Sequence, residues 1–430
     1  MTSASHRKVF DSSRTEDSVV YLRQDVIPPL GGPGRLIGPQ TLLIANDDLP
    51  ALVEEKPIGD VFNNAVITFD LDKSGGGGAA TFVDNDDNWG IGTDGLNVKT
   101  FWNKGVLGHG VRVGIADSGM DSTHPSFEKL TAEKRLKGFA QFDRQGNQVL
   151  QKRPDGTVIP DSVAIPTFGH LHGTHCAAII VGEGPDGKDR GVAPGAELVV
   201  TRVLEQSNTG SVAQIAAGLS WLATQKCDIA SLSLGWPGLH EEWASPVKAL
   251  LDAGVIVVVA VGNEFDAAGV AKSRSPANYL VTPGPTDGLL IAVGAHEQAG
   301  TVWESSGGET VSWADVTVLQ TDGTSRQSIF ASQPPRIVPG MVAPGVEIIS
   351  AAPFKKYLPL DGSSMATPHV AGLIALVLSH LRSSDPGARP RTAAELMLTS
   401  LKDLAPIGLD IRSGAGRVDN SALAHTVIGP

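Results

Sequence analysis

The sequence predicts an α/β protein, a three-layer sandwich whose mostly parallel central sheet is covered by helices on both faces. Three observations carry this. From Trp89 onward, short apolar runs rich in β-branched residues alternate with helix-length segments of three- and four-residue apolar spacing. The strand-like runs are apolar almost throughout, as in residues 255–261 (VIVVVAV), which marks strands buried on both faces. The composition, with 50 glycines, 41% hydrophobic residues and 5% aromatics in 430 residues, suits a tightly turned α/β chain better than a coiled coil or a disordered one.

The elements follow in order. Residues 111–117 (VRVGIAD) form a strand that ends on an aspartate before Ser-Gly. HGTHCAAIIVG, opening at His172, is a helix. Residues 196–204 (AELVVTRVL) are a strand, and VAQIAAGLSWLATQ is a helix. Then come the strand DIASLSLG, the helix PVKALLDAG and the strand VIVVVAVGN, with Gly254 placed to cap the helix C-terminus. LLIAVGA and VEIISA are further strands, and MATPHVAGLIALVLSHL is a largely apolar, buried helix. Residues 297–340 carry weak periodicity and polar clusters, and read as an insertion with some β-structure. Residues 128–166 are a shorter excursion.

The chain divides into an N-terminal extension, residues 1–88, and a main domain, residues 89–430. The extension holds a Pro/Gly-rich stretch at 27–39 and a glycine run at 75–78, separated by strand-like pieces such as TLLIAN and NAVITFDLD. It shows no helical period over about ten residues or more. VDNDDN at 83–88 reads as a turn.

Composition excludes several functions. The net charge of −12, without a basic block, argues against a nucleic-acid partner. Cys176 and Cys227 make neither a disulfide framework nor a metal-ligand spacing. No run approaches the ~18 apolar residues of a membrane span. The N-terminus has Arg and Lys but no apolar segment behind them, so a cytoplasmic location is expected, with export by another route left open.

In open parallel sheets, ligands gather at the carboxyl ends of the strands. Three reactive residues fall there. Asp117 ends a strand, His172 opens a helix, and Ser364 sits in LDGSSMATPHVAG, where a Gly-Ser turn opens another helix. A serine at that position lies near unpaired backbone N–H groups and the positive end of the helix dipole. Taken singly, each residue is an ordinary cap, turn or structural residue.

Read together, the strings resemble the subtilisin family of serine proteases (subtilases, peptidase family S8). The carrying motifs are VGIADSGMDSTHP around Asp117, HGTHCAA from His172, VVVAVGNEF with Asn263, and GSSMATPHVAG around Ser364. They occur in that family's order of Asp, His, Ser. RGVAPGAEL, ASLSLG and GAGRVDNSALA extend the resemblance over about residues 89–424. It implies a serine endopeptidase with Asp117, His172 and Ser364 as the triad and Asn263 as an oxyanion donor. It also implies a peptide substrate bound as an added strand along Asn208, Thr209 and Gly210 and along Ser233, Leu234 and Gly235. Ala260 and Gly262 would line the primary pocket, with a cis peptide expected near Ser275-Pro276-Ala277. Trp236 departs from the small residue expected beside that pocket.

Further expectations come from the same resemblance. His175 and His369 match structural positions. Cys176 matches a free thiol beneath the active site, unbridged to Cys227, where a bulky mercurial would displace His172. The chemistry requires no cofactor. Many members carry a calcium loop where this chain has residues 182–191, but Pro185 stands where a ligand is expected. Asp186 and Asp189 read as turn residues, so a structural calcium stays possible in principle and no metal is assigned. Residues 1–88 stand where members carry a propeptide. Their Pro/Gly stretch suits an extended strand laid along the cleft, with Pro28, Pro29 or Pro33 resisting attack. The alternative is an accessory β-structured piece. Two other functions stand beside general endopeptidase activity: maturation of one dedicated peptide precursor, or a catalytically idle binding homologue.

Overall fold

The computed structural model describes residues 88–150, 157–158, 171–183, 191–205, 208–281, 288–319 and 324–429, with six short strands between residues 7 and 68. Among the described residues, nine strands build the central sheet. They are β1 (Arg112–Asp117), β2 (Leu136–Gln141), β3 (Glu197–Arg202), β4 (Ile229–Leu232), β5 (Ile256–Ala260), β6 (Leu290–His296), β7 (Met341–Pro344), β8 (Leu401–Lys402) and β9 (Arg417–Val418). Their spatial order is β8-β9-β7-β6-β5-β4-β1-β3-β2. Every neighbouring pair is parallel except β8 with β9.

Helices α1 (Leu171–Val181) and α4 (Ser363–Ser384) share one core, and α2 (Val212–Thr224) and α3 (Ala244–Asp252) share the other. Successive strand residues supply the two in turn. Val113 and Ile115 of β1 and Ile256 and Val258 of β5 join Ile180, Val370 and Leu373. Ala116, Val257 and Val259 join Ile215, Leu219, Val247 and Leu250. That double burial is why the strands are apolar throughout; each large side chain buried stabilises by roughly 1.5–3 kcal/mol.

The helix ends have local causes. Ser211 and Gln214 form a capping box at the start of α2. Gly254, at φ 80°, follows α3, with Gly254 N donating to Leu251 O (2.9 Å) and Val255 N to Leu250 O (3.1 Å). This Schellman closure leads directly into β5. α4 is apolar enough by length and composition to cross a membrane, but 83% of its apolar window is buried, as befits a core helix between strands and helices.

In the N-terminal region, Arg35–Gly38, Thr41–Ala45, Asp17–Leu22 and Ile58–Asn63 form an antiparallel sheet in that order. Its Val19, Ile37 and Leu43 join the core that α2 covers. The strand Val66–Thr68 pairs antiparallel with Thr209–Ser211, in the register Thr68↔Thr209, Ile67↔Gly210 and Val66↔Ser211. Pro28, Pro29 and Pro33 lie outside the described residues. Between residues 297 and 340, Glu309–Val311 pairs with Arg336–Val338 and Thr317–Leu319 with Ser325–Gln327, both antiparallel.

Candidate active site

β1 delivers Asp117 to the carboxyl edge of the sheet, where it is fully buried. Its Oδ1 accepts from Ser118 N at 2.6 Å. His172 is the second residue of α1, and its Nδ1 lies 2.9 Å from both Asp117 oxygens. A carboxylate can only accept, so Nδ1 carries the proton and Nε2 is the lone-pair side of the neutral ring. Nε2 is buried and has no hydrogen-bond partner among the described residues. Burial works to lower the His172 pKa, but the adjacent Asp117 carboxylate outweighs it and holds the group well above the ordinary histidine value. Glycine at 173 permits this approach. A Cβ there would sit 2.1 Å from Gly119 O and 3.1 Å from Asp117 Oδ1.

Ser364 is the second residue of α4. Pro368, four residues on, has no N–H to give the Ser364 carbonyl. That carbonyl instead accepts from Ser233 Oγ (2.7 Å) and Cys176 Sγ (3.6 Å). Ser364 Oγ donates to Ser233 O at 3.4 Å. Asn263 follows β5 and is oriented by Ser363: its Oδ1 accepts from Ser363 N and Ser363 Oγ, both at 2.9 Å. Ser363 Oγ accepts in turn from Gly262 N at 3.1 Å. This network assigns Oδ1 and leaves Nδ2 as the donor side of the amide. The Ser364 N–H, in the first turn of α4, has no carbonyl of its own helix to meet. Cys176 Sγ, 3.6 Å from Ser364 O and 3.9 Å from His172 Nδ1, sets the start of α4 beside the oriented imidazole, so the neighbourhood holds the residue types that acyl transfer uses.

The surrounding groups are structural. His175 Nε2 donates to both Ile348 O (3.0 Å) and Leu358 O (2.9 Å), tying the hairpin of Ile348–Ala352 and Lys356–Leu360 to α1. Burial pushes its pKa down to about 3. His369 Nδ1 donates to Met365 O (2.8 Å), its Nε2 accepts from Asn88 Nδ2 (3.1 Å), and burial pushes it to about 4. Cys176 and Cys227 are both free and buried. Burial raises the Cys176 thiol and takes Cys227 to about 12. Cys176 Sγ lies 3.9 Å from His172 Nδ1, and Asp117, His172 and Cys176 have potential ligand atoms within 4.8 Å of one another.

The remaining sequence candidates divide. Ser233 fixes the Ser364 backbone, as above. Leu234 and Ala260 are buried, and Leu234 joins the core that α2 covers. Gly235 and Gly262 flank Ser233 and Asn263, and Gly262 has φ 111°. Asn208, at φ 53°, donates its N–H to Glu205 O (3.0 Å), and Thr209 and Gly210 pair with Thr68 and Ile67. Ser275-Pro276 is cis. Trp236 is stacked on His240 at 3.8 Å. Pro185, Asp186 and Asp189 lie outside the described residues, so no calcium donor set follows. The sequence did not point to Ser363, whose role depends on a partner 100 residues away. Nor did it point to Glu264 and Arg274, a buried ion pair next to Asn263.

Residues 108–416 match the family model described as the subtilase family. The chain is 32% identical over 292 residues to the major intracellular serine protease of Bacillus subtilis, covering 67% of this chain and 75% of that protein. It is 32% identical over 289 residues to subtilisin Savinase of Lederbergia lenta, covering 67% and 83% respectively. A similar match to the M-protease of Shouchella clausii, 32% over 289 residues, covers 67% of this chain and 59% of that protein.

Proposed function

The chain belongs to the subtilase family of serine endopeptidases, and on that premise we propose that Ser364, His172 and Asp117 are its triad. Ser364 Oγ attacks the scissile carbonyl carbon while His172 Nε2 takes its proton. His172 then protonates the leaving amine, and the acyl-enzyme is hydrolysed by water activated the same way. Asp117 holds the Nδ1–H tautomer and stabilises the imidazolium. Asn263 Nδ2 and Ser364 N bind the oxyanion. The observation that carries this reading is the bond from His172 Nδ1 to both Asp117 oxygens beside a buried, unpartnered Nε2. Ser364→Ala should abolish peptide hydrolysis with an unchanged melting profile. Retained hydrolysis would place the nucleophile elsewhere.

The N-terminal region restrains the enzyme in this reading. The support is the antiparallel pairing of Val66–Thr68 with Thr209–Ser211, because Thr209 and Gly210 belong to the edge on which a peptide substrate would add as a strand. A chain begun at Asp84, refolded where necessary, should hydrolyse peptides faster than the unprocessed full-length chain. The separate segment 1–83 should inhibit it. A folded, truncated chain that is no faster and is not inhibited would make the region an accessory β-structured piece.

A further inference from the structure

We infer that the buried Glu264–Arg274 ion pair floors the pocket beside the scissile bond and limits the acyl-side residue of the substrate to small, uncharged side chains. This rests on the assignment of Ser364 and Asn263 above. With the scissile carbon at Ser364 Oγ and its oxygen at Asn263, the acyl-side side chain must enter between two backbone segments. One is Ser233 to Gly235 after β4, and the other is Ala260 to Gly262 after β5. Both end in glycine, and the Arg274 stem lies against both. A Cβ on Gly235 would sit 2.8 Å from Arg274 Cβ and 3.4 Å from its Cδ. A Cβ on Gly262 would sit 2.8 Å from Arg274 Cγ and 2.4 Å from Glu264 Oε2. The slot that two glycines would otherwise leave open is therefore filled from below.

The filling is rigid. Arg274 is 2% exposed, and its backbone N donates to Val261 O at 2.9 Å. Its Nε donates to Glu264 Oε1 (3.0 Å) and Oε2 (3.2 Å), and its Nη2 also donates to Oε1. Glu264 Oε2 accepts from Asn263 N at 2.9 Å, and Lys272 Nζ donates to Glu264 O at 3.0 Å. The rear is closed by Gly307 N on Gly262 O (2.8 Å) and Gly308 N on Lys272 O (2.7 Å). A long apolar side chain entering this slot would meet the arginine stem and strip the ion pair of compensating contacts. An acidic side chain would meet Glu264 beside Arg274, and a basic one the reverse. Glycine, alanine and serine fit.

The test uses the full-length chain, with active sites counted by a fluorophosphonate. It cuts a peptide series that differs only at the acyl-side residue: Ala, Ser, Leu, Phe, Asp or Lys. kcat/KM should favour Ala and Ser over every other member by about ten-fold or more, the scale on which a pocket rejects excess volume. The double variant Arg274→Gly/Glu264→Gln should shift the Phe-to-Ala and Leu-to-Ala ratios upward by about ten-fold or more. Its glutamine oxygen still accepts the Asn263 N–H, and no buried charge is left unpaired. Wild-type preference for Leu, Phe, Asp or Lys overturns the inference, and so does an unchanged profile in an active double variant. If that variant does not melt cooperatively, the wild-type profile decides alone. Absence of both cleavage and a Ser364 adduct would instead refute the underlying assignment of the nucleophile.

Discussion

Acidification from pH 7 to pH 5 should destabilise this fold by about 5 kcal/mol, through three histidines the chemistry does not use. Burial holds His175 at about 3, and His296 and His369 at about 4. In the unfolded chain each titrates near 6.5. A depressed histidine contributes stability that is fully present above the unfolded value and is lost as the pH falls toward the folded one. Between pH 7 and 5 the unfolded chain takes up about 0.7 of a proton at each site while the folded chain takes up almost none, costing roughly 2 kcal/mol per histidine. The structure shows why the native state refuses them. His369 has Nδ1–H on Met365 O and receives Asn88 Nδ2–H at Nε2, and Asn88 cannot flip, since its Oδ1 accepts from Gly90 N at 2.8 Å. His172 acts in the opposite sense. Its pairing with Asp117 stabilises fully below the unfolded value and is lost as the pH rises through its raised folded value, so here it returns less than about 1 kcal/mol. His124, lowered by burial, adds to the loss. Urea unfolding of the Ser364→Ala chain, which cannot digest itself, followed by tryptophan fluorescence at pH 7, 6 and 5, measures the slope. A loss below about 1 kcal/mol over this interval would refute the reasoning, since a single one of these histidines would exceed it.

Three further outcomes follow from the site. Asn263→Ala should lower kcat by about a hundred- to a thousand-fold, the usual worth of one oxyanion donor; comparable activity would mean the oxyanion is bound elsewhere. The acid limb of kcat/KM should have its midpoint above 6.5, because His172 must be neutral to accept a proton and Asp117 favours its charged form. A midpoint at or below 6.5 would contradict that pairing. A bulky mercurial should inhibit through Cys176, whose Sγ lies 3.9 Å from His172 Nδ1, and Cys176→Ser should resist it. Inhibition that survives the substitution would remove Cys176 from the account.

What was legible in the sequence has a physical pattern. VIVVVAV announces β5 because a strand buried on both faces must be apolar at every position. The contact of Asp117 with His172 is legible because one ends a strongly periodic strand and the other opens a helix, beside Gly173, which the close approach requires. The Glu264–Arg274 pair is not legible, since two charged residues ten positions apart read as solvated side chains until tertiary packing buries them. The Asn88–His369 bond spans 281 residues and leaves no local signal. The pairing of Val66–Thr68 with Thr209–Ser211 is hidden for the same reason: a three-residue strand carries little periodicity, and its partner edge is chosen by the fold.

The central claim is that Ser364, activated by His172 and Asp117, is the nucleophile. The most direct measurement is peptide mapping by mass spectrometry after fluorophosphonate treatment of folded wild-type and His172→Ala chains. A phosphonyl adduct confined to the peptide carrying Ser364, formed in the wild type and slowed by several orders of magnitude in His172→Ala, is the predicted result. An adduct on another serine, or an equal rate of labelling without His172, would contradict it.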